Sequence, residues 1–427
     1  MSDSPTIFAL SSGAPPAGVA VIRVSGPQAG AAMLALAGRI PDARRASLVR
    51  LRGVDGALLD EALALWFPGP NTATGEDLAE FHCHGGRAVI AAVEGALGAL
   101  PGLRRAEPGE FTRRAFANGR IDLAEAEGLG DLLTAETELA RAAALANLGG
   151  ALSRQVEGWR ERVLALSAEV EAVLDFSDEE DAAALPECFT WNISDLAGEL
   201  AQWLSRPRSE RLGEGFRVVL AGPPNAGKST LFNALVESEA AITSPIAGTT
   251  RDVIERAVAI AGVPFTFVDT AGLREAGEDA IEAIGIARAE AELARADLVL
   301  WLGPEGQGPA DAWEIAAQAD RAGFKPKAAA CYTLSAATGD GLAALKTALV
   351  DMARDVLPKP GEAALNARQH ARLAEAEDAL RAAISLADPL LIAEELRRAR
   401  VAFDRLIGRA TTEDMLNTLF GRFCIGK

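Results

Sequence analysis

Phe216–Thr230 reads FRVVLAGPPNAGKST, a short apolar run that passes directly into a glycine-framed loop ending in Lys-Ser-Thr. Phe216 to Gly222 has the continuous apolar character of a buried strand, and an apolar helix is expected from near Leu231. Gly222-Pro-Pro-Asn-Ala-Gly-Lys-Ser-Thr230 satisfies G-x-x-x-x-G-K-[ST] in full, between a strand and a helix, where the motif binds phosphate. Gly222 and Gly227 let the backbone turn and aim N–H groups at phosphate oxygens, with Asn225 and Ala226 between them. Lys228 brings a point charge to the β and γ phosphates, Ser229 a hydroxyl for Mg²⁺, and the helix start its positive end, with Thr230 next to it.

About forty residues on, FTFVDTAG (Phe265–Gly272) reads as a second strand ending in Asp269, placed to hold Mg²⁺ through water. Thr270, Ala271 and Gly272 follow, with the Gly272 N–H a donor to the γ phosphate. Between the two strands lies SPIAGTTRD, Ser244 to Asp252, polar and turn-rich. Thr249 and Thr250 there offer hydroxyls to the γ-phosphate side of the metal. A segment ordered only by nucleotide would be a switch; an ordinary loop is the alternative.

The rest of the chain places this unit. The 427 residues are too many for one core, and half of them are apolar. Residues 1 to about 118 mix strand patterns (GVAVIRVSG, Gly18–Gly26; Leu63 to Phe67) with an apolar helix, Ala88 to Leu100, introduced by Gly85 and Gly86. From Ile121 to about Trp203 the pattern is helical, with Gly149 and Gly150 expected to bend it. Residues 216 to about 350 alternate strands and helices, and Ala363 to Phe420 is helical again. Pro207, Gly213, Pro358, Pro360 and Gly361 punctuate the boundaries. The expected architecture is an α/β P-loop domain (213–355) inserted between two helical stretches (119–212 and 356–427), preceded by an α+β domain (1–118).

The net charge of −18 argues against a general nucleic-acid binder, leaving a local basic patch, a basic partner, or acidity that serves solubility alone. Cys83, Cys188, Cys331 and Cys424 are too far apart for a disulfide framework or a CxxC zinc site. His82, Cys83 and His84 tempt as a metal trio, but in a strand the histidines share one face and the cysteine takes the other. The start, MSDSPTIFAL, lacks a basic segment followed by an apolar core, so no secretory leader is expected and the cytoplasm is the default location.

The order GPPNAGKST, AGTTRD and DTAGLR resembles the translation-factor-related GTPases, and the whole chain from Thr6 to Lys427 resembles the MnmE (TrmE) family of tRNA modification GTPases. Four further stretches carry that resemblance: GVAVIRVSG; TGEDLAEFHCHGG (Thr74–Gly86); EPGEFTRRAFANGRIDLAEAEGL (Glu107–Leu129); and FCIGK (Phe423–Lys427). The resemblance implies a folate-binding, dimerising N-terminal domain, a split helical domain and an inserted GTPase. It implies a homodimer that forms a heterotetramer with the flavoprotein MnmG. Together these install a carboxymethylaminomethyl or aminomethyl group at C5 of the wobble uridine (U34) of certain tRNAs. A 5-formyl- or 5,10-methylene-tetrahydrofolate would serve as one-carbon source, and GTP would be hydrolysed to GDP with Mg²⁺ and K⁺.

By the same resemblance, folate contacts fall on Arg23, Glu80 and Arg120, with Lys427 near them; surface ion pairing is the plainer reading of those charges. K⁺ would be held by Asn225, Ser244, Ile246 and Thr249, and Mg²⁺ by Ser229 and Thr250. Glu282, in EAIGI, would orient the attacking water through a second water. Cys424 is a candidate reactive thiol, against the alternative of a buried structural cysteine. Two departures stand out. Asn71-Thr72-Ala73 replaces a segment in which relatives carry Tyr, and N-K-x-D is missing. The best alignment for the latter puts Ala317 at the Asn, Gln318 at the Lys and Asp320 at the Asp, with Ser335-Ala336 supplying the later base loop. Losing the Asn removes a contact of about 1–3 kcal/mol, so weakened guanine discrimination is expected. A pure GTPase switch, such as a ribosome assembly factor, would lack the TGED…HCHGG and FCIGK segments. A scaffolding P-loop ATPase would be separated by base competition and by turnover in K⁺ against Na⁺.

Overall fold

The computed structural model describes residues 5–175, 185–237, 239–242, 254–270, 290–410 and 412–427. The chain resolves into two units, Met1–Gly130 with Asp404–Lys427, and Asp131–Phe403.

The first unit is built on a six-stranded sheet in the order β3-β4-β5-β2-β1-β6. These strands are β1 (Thr6–Leu10), β2 (Ala17–Ser25), β3 (Ser47–Arg52), β4 (Leu58–Phe67), β5 (Leu78–Gly85) and β6 (Leu103–Arg105). Only β1 and β6 pair in parallel. Strict alternation decides its faces. Ala20, Ile22 and Val24 of β2 and Ala79, Phe81 and Cys83 of β5 point into one core, which residues of α1 (Ala29–Ala37) and α2 (Arg87–Gly98) complete. Arg23 and Glu80, which are register partners, lie on the opposite face. Next come α3 (Glu110–Ala117) and α4 (Leu123–Thr134). The C-terminal helix Glu413–Phe420 packs its Leu416 and Phe420 with Leu123, Ala126 and Phe423. The last residues pass close to β1. At Gly426 (φ +93°) a β-carbon would sit 1.9 Å from the Leu10 carbonyl oxygen, so no other residue fits there.

The second unit contains helices and a seven-stranded sheet. The helices are α5 (Glu138–Leu148), α6 (Ala151–Asp175), α7 (Phe189–Leu204) and α8 (Glu210–Glu214). Gly149 and Gly150, expected to bend a helix, separate two: Gly149 caps α5, and Gly150 adopts φ +72° before α6 starts. Val156, Trp159, Val163, Leu166 and Val170 form the buried stripe of α6 at three- and four-residue spacing. Trp159 meets Trp203 edge-on at 5.4 Å and Phe403 at 5.9 Å. Helix Ala367–Ile384 packs against α7, and helices Leu342–Val356 and Pro389–Ile407 flank it in the chain.

The sheet runs β13-β12-β11-β7-β10-β9-β8. Its strands are β7 (Phe216–Ala221), β8 (Ala240–Ala241), β9 (Ile254–Ile260), β10 (Val263–Asp269), β11 (Leu298–Trp301), β12 (Trp313–Ala316) and β13 (Tyr332–Thr333). The five strands from β10 through β7 to β13 are parallel, and β9 and β8 extend the edge antiparallel. All seven residues of β10 are buried, as expected of a parallel strand covered on both faces. Leu139 and Ala143 of α5 join this core, and the Leu139 N–H donates to the Gly262 carbonyl at 3.2 Å.

Candidate functional site

The phosphate loop emerges from the C-terminal end of β7, the central strand, where open α/β sheets bind ligands. Gly222 has φ +149°, and a β-carbon on it would lie 3.0 Å from the Gly303 nitrogen. Asn225 adopts a left-handed φ of +62°. The following helix, α9 (Lys228–Val236), starts three residues before Leu231, so the lysine and hydroxyl of the motif occupy its first turn. Ala226 packs against the sheet core, whereas Thr230 is exposed. Lys228 is buried; its Nζ donates to the carbonyls of Gly222 (2.9 Å) and Pro223 (2.8 Å), which centres the ammonium on the loop.

Ser229 Oγ donates to Asp269 Oδ2 at 2.6 Å, joining the two halves of the motif across forty residues. Asp269 is fully buried at the end of β10. A hydroxyl and a carboxylate this close are hard oxygen donors, the chemistry Mg²⁺ takes. The Thr270 hydroxyl turns inward to the Leu220 carbonyl at 2.8 Å and belongs to the sheet's packing. Ser244, Ile246, Thr249, Thr250, Ala271, Gly272 and Glu282 lie outside the described residues.

The turn that the sequence aligns with N-K-x-D follows β12. Leu334 N–H donates to Ala316 O (3.0 Å) and Ala319 N–H to Leu334 O (3.1 Å), fixing residues 317–320 beside the Ser335–Ala336 loop. Ser335 Oγ donates to Asp320 Oδ1 at 2.5 Å. That hydrogen bond, with one from the backbone, holds the Asp320 carboxyl below the usual range. Gln318, at φ +61°, donates Nε2 to the Asn225 carbonyl at 3.1 Å, and a β-carbon on Gly227 would lie 3.3 Å from its Cγ. The side chain therefore spans from the turn after β12 to the phosphate loop.

In the first unit, Arg23 donates through Nε (3.0 Å) and Nη2 (2.9 Å) to Glu80 Oε1, and His82 Nε2 lies 3.1 Å from Glu80 Oε2. The Arg23 guanidinium sits 5.8 Å from the centre of the Phe111 ring. Phe111 N–H donates to Lys427 O at 3.2 Å, which brings the C-terminal segment beside this pair. Arg120 is exposed beyond α3. His84 Nδ1 lies 2.8 Å from Asp60, and Cys83 points into the core. Burial, with the nearby Asp60 charge, pushes the Cys83 thiol up to about 12. Cys424 is exposed, which corrects the buried alternative; the tail turns outward there while its carbonyl accepts from Gly109 N–H at 3.4 Å.

Two family models match: the MnmE helical domain over residues 123–424, and the GTP-binding protein TrmE N-terminus over residues 6–120. A tRNA modification GTPase MnmE from Erythrobacter litoralis is 66% identical over 422 residues, covering 99% of this chain and 100% of the relative. That of Novosphingobium aromaticivorans is 64% identical and covers 99% of each chain. A third, from Zymomonas mobilis, is 51% identical, covering 99% of this chain and all of the relative. The chain belongs to the MnmE family. It is accordingly a GTP hydrolase. It joins an α/β sheet and an α+β sheet to helical stretches, and no helix among the described residues is long and apolar enough to cross a membrane. One group went unnoticed in the sequence, the ion network around Arg114 and Glu76. The four-residue spacing of Glu110 and Arg114 on one helix face was the signal available for it.

Proposed function

We propose that this GTPase works in the cytoplasm as a homodimer and, with the flavoprotein MnmG in a heterotetramer, modifies C5 of the wobble uridine U34 of certain tRNAs. The relatives' names, tRNA modification GTPase, support the RNA substrate. In this reading residues 1–118 form the folate domain, 213–355 the GTPase, and 119–212 with 356–427 the helical domain. Lys228 neutralises the β and γ phosphates of GTP. Ser229 and Thr250 hold Mg²⁺, backed by Asp269. Asn225, Ser244, Ile246 and Thr249 hold K⁺, which supplies positive charge where negative charge develops. Glu282 orients the attacking water, and Asp320 with the Ser335–Ala336 loop reads the base.

Arg23, Glu80, Arg120 and Lys427 face the tetrahydrofolate derivative: arginines suit its anionic tail, and a carboxylate suits the amide-like edge of the pterin. When bound, the folate supplies a one-carbon unit and the partner's flavin the redox chemistry. The observation that carries the nucleotide part is the 2.6 Å contact between Ser229 and Asp269 at the mouth of the phosphate loop. The deciding experiment is wobble-base analysis of tRNA from cells lacking this protein. Loss of the aminomethyl-type substituent at U34 is expected; unchanged tRNA would leave only the GTPase.

A further inference from the structure

A single buried guanidinium organises the ground around Arg23. Arg114, on α3, donates Nη1 to both oxygens of Glu76 (3.2 and 3.0 Å) and Nη2 to Glu110 Oε1 (3.0 Å) and the Pro5 carbonyl (2.8 Å). Glu110 also takes two bonds from Arg104, at 2.8 and 2.6 Å. From Glu76 the network enters the TGED loop. Ser25 Oγ donates to Glu76 at 2.7 Å and lies 2.7 Å from Thr74 Oγ1, and Thr72 Oγ1 donates to the Glu76 carbonyl at 2.6 Å. Ser25, Thr74 and Arg114 are all buried.

Each end of the network meets a residue of the proposed folate site. Ser25 is two residues from Arg23 on the same face of β2. Asn118 Nδ2 donates to the Thr74 carbonyl at 2.7 Å, and a β-carbon on Gly75 would lie 2.8 Å from Asn118 Cβ and 3.2 Å from Arg120 Cγ. On the other turn of α3, Phe111 carries the Arg23 guanidinium and bonds Lys427. A buried charge held by four acceptors on three separate segments has little freedom, and it removes freedom from whatever it ties.

We infer that Arg114 is a positioning residue: through Glu76 and the TGED loop it sets the relative places of Arg23, Arg120 and Lys427, and so the affinity for a one-carbon tetrahydrofolate. The inference rests on the folate reading above. Lysine at this position keeps the charge but not the planar fork that serves Glu76 and Glu110 together.

The test uses the full chain, with equilibrium binding of 5-formyltetrahydrofolate to the unaltered protein and to Arg114→Lys, Glu76→Gln and the double variant. Each single change is expected to weaken binding at least tenfold, and the double variant to lose no more than the worse single one, because both act through one tie. GTP turnover should not change, and Cys83 should stay protected from alkylation, which a collapse of this unit's core would not allow. Should Arg114→Lys fail to fold, Glu76→Gln decides alone. Wild-type affinity in either folded variant overturns the inference. No binding by the unaltered protein overturns the folate reading itself, and the inference with it.

Discussion

Lys228 sits with its ammonium on two loop carbonyls, so replacing it by Ala removes the charge at the centre of the phosphate loop. GTP affinity is expected to fall at least a hundredfold by fluorescent-nucleotide titration, with the fold retained by circular dichroism. Gln318 makes a subtler case. It reaches the phosphate loop, as a lysine there would, but with a neutral amide. Gln318→Lys is expected to tighten GDP binding several-fold, since a hydrogen bond from a charged donor is worth about twice a neutral one. Competition by ATP against GTP measures whether discrimination rises with it. Cysteine chemistry gives a check on burial. At pH 8 iodoacetamide should modify Cys188, Cys331 and Cys424, which are exposed, and leave Cys83, whose thiol burial pushes up to about 12.

At the scale of elements, some features follow from local chemistry and others do not. The apolar runs of β7 and β10 and the glycines of the loop between β7 and α9 were legible, because a buried parallel strand and a phosphate loop each demand particular residues locally. Alternation in β5 likewise separated His82 and His84 from Cys83, which faces the core. The union of Arg114 with Glu76, and of Gln318 with Asn225, was not legible: each joins segments far apart in the chain, and no local spacing records it. Where packing dominates, the effects should be large. Trp159→Ala empties a site at the centre of α6 and should cost about 3–5 kcal/mol in chemical denaturation. For α3 the sensitive variable is pH. Burial alone would raise the Glu110 carboxyl, but bonds from Arg104, the Glu107 N–H and Arg114 hold it below its ordinary value. A carboxyl depressed in the folded state contributes stability above its unfolded pKa, lost as pH falls through the folded one. Acid titration of Glu110→Gln should therefore show a shallower loss of stability than wild type below about pH 4.3, the ordinary glutamate value.

For the whole molecule, charge is unevenly shared. The segments 1–130 and 404–427 hold 17 acidic and 16 basic residues, whereas 131–403 holds 43 and 26. An RNA approaching the second unit meets net repulsion, so the isolated chain should bind tRNA weakly and with a shallow salt slope; a steep slope in filter binding would locate a strong basic face on this chain instead. The division of the chain also bears on synthesis. Because residues 404–427 pack with 1–130, the first unit to begin emerging from the ribosome is the last to be completed, and the nucleotide-binding sheet can close while the earlier strands still wait for their final helix. Nascent chains stalled after residue 403 should thus already retain GTP, yet show protease-sensitive amino-terminal strands until the closing two dozen residues arrive.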